Sequence, residues 1–161
     1  MKKGFTLVEI LIAILIMGVL ASMAVPMYEK TIEKSRVVEV RAHLKRIYDA
    51  KIRLLDDMEQ TTYNTGLFGF ENLDFSFDCA LSGTTHKNAC STPDFTYKLN
   101  PSGNNNENFV CAKRLRGDYA GVNFLFTGEE NTDKFFCNNG GVTNGCDVFG
   151  MISTGSTAWC E

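Results

Sequence analysis

Between Phe5 and Tyr28 the chain carries a single charged residue, Glu9. A carboxylate inside an otherwise apolar span costs about 2.5–3.5 kcal/mol on membrane-insertion scales, so its presence needs a reason. Six cysteines form the other reactive set: Cys79, Cys90, Cys111, Cys137, Cys146 and Cys160. An even number, all beyond residue 78 and behind an apolar N-terminus, reads as a disulfide framework formed in an oxidising compartment. A zinc site is the competing reading, but no CxxC pair exists and only His43 and His86 could assist. Structural zinc prefers short ligand spacings. Oxidation is the expected chemistry.

Catalytic constellations are missing from the sequence. There is no GxSxG, HExxH, Walker or GxGxxG pattern. His43 is expected on the polar face of a helix and His86 in a loop. Asp56-Asp57 and Glu129-Glu130 are paired carboxylates, yet adjacent side chains point apart and read as solvated surface. Acidic and amide residues in the tail lack EF-hand spacing. No catalytic residue, metal site or cofactor is expected, and the chain is not read as an enzyme.

The elements that position Glu9 and the cysteines follow from periodicity. Residues 5–28 are long enough to cross a bilayer, which takes about 20 apolar residues. Gly18 and Pro26 interrupt this stretch. Proline removes one helical hydrogen bond and crowds the carbonyl four residues back, so a kink or loosened turn is expected between them. From Met27 the pattern turns amphipathic. Val37, Val40, Leu44, Ile47, Tyr48, Leu55 and Met58 share one face, against Glu39, Arg46, Asp49, Arg53 and Asp57 on the other. Lys51 falls inside the apolar stripe and is expected to snorkel to an edge. A helix from Phe5 to Met58 would be about 80 Å long at 1.5 Å per residue.

Beyond Glu59 the composition changes. Every asparagine, and every glycine except Gly4 and Gly18, lies past residue 63. Four short strands are expected at Phe95–Leu99, Phe109–Arg114, Gly121–Phe126 and Lys134–Cys137. The turn clusters between them argue an antiparallel meander packed on the amphipathic half-helix, an α+β layer pair. Residues 60–93 lack clear periodicity and are read as a helix-to-sheet connection; residues 138–161 are read as a disulfide-closed tail. Six cysteines permit many connectivities. Local closure suggests Cys79–Cys90 and Cys137–Cys146, leaving Cys111 with Cys160, but the pairing stays open.

The N-terminus admits three readings. Lys2 and Lys3 followed by an apolar run could be a secretory signal, with Ser22-Met23-Ala24 as its cleavage site. Glu9 and the nearby Pro26 argue against it. A plain transmembrane anchor explains the length but neither Glu9 nor Gly4. The stretch Gly4-Phe5-Thr6-Leu7-Val8-Glu9, behind Lys2-Lys3, resembles the processing site of type IV pilins and of their relatives, the pseudopilins.

That resemblance covers about the first 39 residues and carries definite implications. Residues 1–4 would be a leader, removed by a prepilin peptidase between Gly4 and Phe5, with N-methylation of Phe5. Residues 5–28 would form the transmembrane and filament-core half of the helix, residues 29–58 its amphipathic half, and residues 59–161 a globular head. Glu9 would pair with the cationic amine of Phe5 on a neighbouring subunit, and Gly18 to Pro26 would be where the helix can melt. Tyr28, Ser35, Arg36 and Glu39 resemble major pilins more than secretion pseudopilins. The implied partners are copies of the chain itself, an inner-membrane assembly platform with separate ATPases, and the membrane before assembly. The implied location is the bacterial inner membrane first and an extracellular pilus afterwards. A pseudopilin or minor pilin of a secretion or DNA-uptake system is the alternative. Net charge is −3, and losing Lys2 and Lys3 makes it more negative, so bulk electrostatics gives no footprint for nucleic acid.

Overall fold

A computed structural model describes residues 5–57, 69–76, 78–82, 87–99, 109–129, 132–154 and 160 of the 161-residue chain. Gly4, Met58 and His86 lie outside the described residues, as do the side chains of Glu129 and Glu130. The chain divides into two compact units, Met1–Arg36 and Val37–Glu161. One helix, α1, runs from Leu7 to Asp57 and contributes to both.

In the first unit, every described side chain from Phe5 to Thr31 is exposed. α1 contains both Gly18 and Pro26. Polar side chains in this stretch turn back to the backbone: Ser22 Oγ donates to the Val19 carbonyl at 2.7 Å, and Thr31 Oγ1 to that of Met27 at 2.9 Å. Such back-bonding keeps hydroxyls satisfied where water is absent.

The second unit is a helix on a sheet. Six strands lie in sequence order: β1 Ala80–Ser82, β2 Ala89–Ser91, β3 Phe95–Lys98, β4 Phe109–Arg114, β5 Asn123–Glu129 and β6 Thr132–Asn138. Every neighbouring pair is antiparallel. β3 to β6 fall where turn residues and alternation predict them. β1 and β2 do not: they lie within 60–93, where three-residue strands leave too short a run for a period to show. β5 also extends past Phe126 to Glu129, and β6 begins at Thr132.

The core is where the stripe meets the sheet. Val37, Val40, Leu44, Ile47 and Ala50 pack with Tyr97, Val110, Ala112, Phe124 and Phe126. Alternation along β4 and β5 sends one set of side chains toward α1. Tyr48 locks the layers: its hydroxyl donates to the Gly128 carbonyl at 2.9 Å, and its ring lies where a Cβ on Gly128 would stand.

Two expectations about the helix fail here. Lys51 does not snorkel; it is 0% exposed, and Nζ donates to the carbonyls of Leu99 at 2.9 Å and Phe109 at 3.2 Å. The Leu99 carbonyl follows β3 and the Phe109 carbonyl begins β4, so an ammonium there satisfies backbone acceptors that a hydrocarbon could not. His43 does not sit on a polar face either. It is half-buried, with Nδ1 3.1 Å from the Tyr97 hydroxyl and its ring edge-on to the tyrosine.

Candidate functional site

The N-terminal site is built on one turn of helix. The amides of a first turn lack intrahelical acceptors, and Thr6 and Glu9 resolve this reciprocally. The Thr6 amide donates to Glu9 Oε2 at 2.9 Å, and the Thr6 hydroxyl donates to the same oxygen at 2.8 Å. In return the Glu9 amide donates to Thr6 Oγ1 at 3.3 Å. This is a capping box, with threonine as N-cap and glutamate three residues on. The carboxylate is also favourably placed against the positive end of the helix dipole.

Thr6 is the residue that sequence reasoning about charge alone passes over. Its signal is present all the same: Thr6-Leu7-Val8-Glu9 is the Ser/Thr-x-x-Glu pattern immediately before an apolar run. The box has a chemical consequence. While Gly4 precedes Phe5, the nitrogen of Phe5 is a peptide amide and carries no charge. With no charge there, Glu9 finds its partners on Thr6.

Phe5 is 85% exposed, and Leu7, Val8, Ile10, Leu11 and Ile14 beside it are exposed too. α1 is long and apolar enough in this region to cross a membrane. An apolar surface of this extent is far larger than a monomer in water leaves open. It requires lipid or protein as cover.

The cysteines brace the other end of the molecule. Cys79–Cys90, Cys111–Cys160 and Cys137–Cys146 are bonded, with Cα separations of 5.6, 5.9 and 5.8 Å. The first fastens the segment before β1 to β2. The second fastens the C-terminal end of the chain to β4, in the middle of the sheet. The third closes a short loop beyond β6, in which Asn139 Oδ1 also accepts the Cys146 amide at 2.8 Å. Beyond that loop Thr154 donates its amide to the Cys137 carbonyl, and Cys137 and Ser153 form a parallel bridge on the outer side of β6. Edge strands left bare invite unplanned pairing, and the tail covers part of this one.

Charged groups around the core are placed for structure. Arg53 makes a bidentate pair with Asp74 at 2.7 and 2.9 Å, and that hydrogen bonding holds the Asp74 carboxyl below its ordinary range. Arg114 is buried, pairs with Asp94 at 2.8 Å and lies over the Phe95 ring. Burial pushes the Tyr97 phenol up, with Glu39 and Asp94 adding to the shift. Among the described residues no group of three or more histidine, cysteine, aspartate or glutamate side chains could hold a metal ion.

Comparison with known proteins bears on this site directly. A family profile described as the prokaryotic N-terminal methylation motif matches residues 1–25. The type IV major fimbrial protein FimA of Dichelobacter nodosus is 26% identical over 148 residues, 83% of this chain and 89% of the relative. The type IV major pilin protein PilA of Myxococcus xanthus is 31% identical over 69 residues, 43% of this chain and 31% of the relative. The type IV major alpha-pilin of Moraxella bovis is 34% identical over 79 residues, 44% of this chain and 50% of the relative. No solved structure matches.

Proposed function

We propose, for a chain whose methylation motif and relatives support a type IV pilin, that it is the repeating structural subunit of a pilus. The observation that carries this reading is the exposed apolar stretch from Phe5 to Tyr28 with one carboxylate near its start. Before assembly the membrane covers that surface. In the fibre, copies of the same helix cover one another, and burial at about 25 cal/mol per Å² supplies the cohesion.

Processing converts one state into the other. A peptidase cuts between Gly4 and Phe5 and the new amine is methylated, which keeps its positive charge. Glu9 then has a cation available that did not exist in the precursor. Within one copy Thr6 already caps the first turn, so the amine is free to meet the Glu9 of a neighbour and to set axial register. Gly18 and Pro26 mark the segment where α1 melts to fit the fibre. The peptidase acts in the bacterial inner membrane, and a platform with separate ATPases drives assembly outward, since this chain has no nucleotide motif.

Mass spectrometry of sheared surface fibres tests the reading. The expected subunit begins at methylated Phe5 and carries three closed disulfides. A fibre subunit that begins at Met1 or Val25, or absence of this chain from the fibres, would overturn it.

A further inference from the structure

We infer that Arg116-Gly117-Asp118, in the turn between β4 and β5, is a docking site for an integrin-type receptor, one that reads such a tripeptide through a divalent cation. The inference goes beyond the pilus reading above and rests on it in one respect, that the second unit is displayed outside the cell.

The tripeptide stands clear of the packed sheet. Leu115, Arg116, Gly117 and Asp118 are all exposed, whereas Arg114 before them and Val122 after them are buried. Among the described residues, neither the Arg116 nor the Asp118 side chain makes an ion pair or a hydrogen bond. Other cations of this unit are committed to the fold. Arg41 and Arg46 lie over aromatic rings, and Arg53 and Arg114 pair with carboxylates.

The loop that carries these charges is fixed at both stems. The Arg114 amide donates to the Val122 carbonyl and the Gly121 amide to the Arg114 carbonyl, each at 2.8 Å. The Leu115 amide donates to the Asp94 carbonyl at 2.9 Å, and Ala120 closes the turn on the Gly117 carbonyl at 3.1 Å. Below it the Tyr119 ring meets Phe149 edge-on, with centroids 5.5 Å apart. A loop held in this way is ordered before anything binds, which lowers the entropic cost of docking. Gly117 has a φ of 77°, in the left-handed region that favours glycine. A Cβ there would meet only Arg114 Nη2, at 3.8 Å, so the backbone between the two charges is open to close approach.

Chemistry selects the occupant. The Asp118 carboxylate is a hard oxygen ligand, suited to complete the shell of a magnesium, calcium or manganese ion held by another protein. The Arg116 guanidinium presents a fork of donors that fits a carboxylate bidentately. A partner with a metal ion at one end of its cleft and acidic side chains at the other satisfies both. A surface of one sign satisfies only one of them. Along a pilus the tripeptide would recur with every subunit, so a modest affinity at one site becomes avidity.

Binding of an integrin ectodomain selected for Arg-Gly-Asp peptides, in manganese, to the immobilised full chain in detergent tests this. The native chain should bind saturably, and EDTA should abolish binding. A short Arg-Gly-Asp peptide should compete and an Arg-Gly-Glu peptide should not, a comparison that needs no variant. Asp118→Glu keeps the charge but moves the carboxylate out by one methylene, and Arg116→Gln removes the cation. Each should weaken binding by about tenfold or more, with the disulfides still closed to alkylation in non-reduced protein. No saturable binding, binding that survives EDTA, or an Asp118→Glu chain that binds like the native one would overturn the site. Those results come from the solubilised chain and leave the pilus reading intact. Absence of the chain from sheared fibres would sink that reading while leaving the binding result standing.

Discussion

The Thr6 hydroxyl lies 2.8 Å from a Glu9 carboxylate oxygen that also accepts the Thr6 amide. On the proposed reading Glu9 takes two roles in turn: helix cap in the precursor, and partner to a neighbour's amine after cleavage. Thr6→Val keeps the shape and removes both hydroxyl-dependent bonds. Loss of an N-cap costs about 0.5–2 kcal/mol, confined to the first turn. Hydrogen exchange of the detergent-solubilised chain should show faster exchange at the Glu9 amide, with the amides of the second unit unchanged. Unaltered exchange in the first turn would mean the box contributes nothing.

Gly128 and Tyr48 give a sharper test of how α1 seats on the sheet. A Cβ at residue 128 would come within 2.5 Å of the Tyr48 ring. Gly128→Val should therefore destabilise the full chain by about 1–3 kcal/mol, the usual cost of forcing volume into a packed site. Tyr48→Phe removes only the hydroxyl donor and should cost about 1 kcal/mol. Thermal unfolding in detergent would rank them. Equal effects would show that ring packing on Gly128 is not the constraint.

Tyr97 sets an alkaline limit. Burial raises its phenol pKa above the ordinary 10.0, so the folded chain holds that proton to higher pH than the unfolded chain does. The neutral phenol's contribution is complete below pH 10 and is lost as pH rises from there through the folded value. Stability of the native chain should fall across that window, and Tyr97→Phe should fall less steeply despite losing its His43 contact. Parallel curves for the two proteins would contradict the assignment.

Much of this was legible in the residues, for identifiable reasons. A helical stripe and strands of four residues or more impose periods that a sequence displays, which is why Val37 to Ile47 and β3 to β6 stand out. β1 and β2 are too short for that, and their place in the sheet depends on the Cys79–Cys90 disulfide and on pairing with β3. Lys51 and His43 mislead because a lone polar residue in a helical pattern looks solvated. Only the sheet supplies the Leu99 and Phe109 carbonyls and the Tyr97 hydroxyl that satisfy them. At the N-terminus the charge of Glu9 drew attention away from the threonine three residues earlier, although the capping pattern was plain.

The most direct test of the central claim is fibre yield from Glu9→Ala at equal subunit level in the membrane. Removing the carboxylate lowers the cost of the membrane stage, so insertion should be as good or better. Assembly should fail, because the methylated Phe5 amine then enters the fibre core without its counter-charge. Truncating one member of a buried pair costs about 3–5 kcal/mol, and Glu9→Asp, which keeps the charge on a shorter arm, should fall between. Normal fibres from Glu9→Ala would contradict the register role and leave Glu9 as no more than the cap of its own helix.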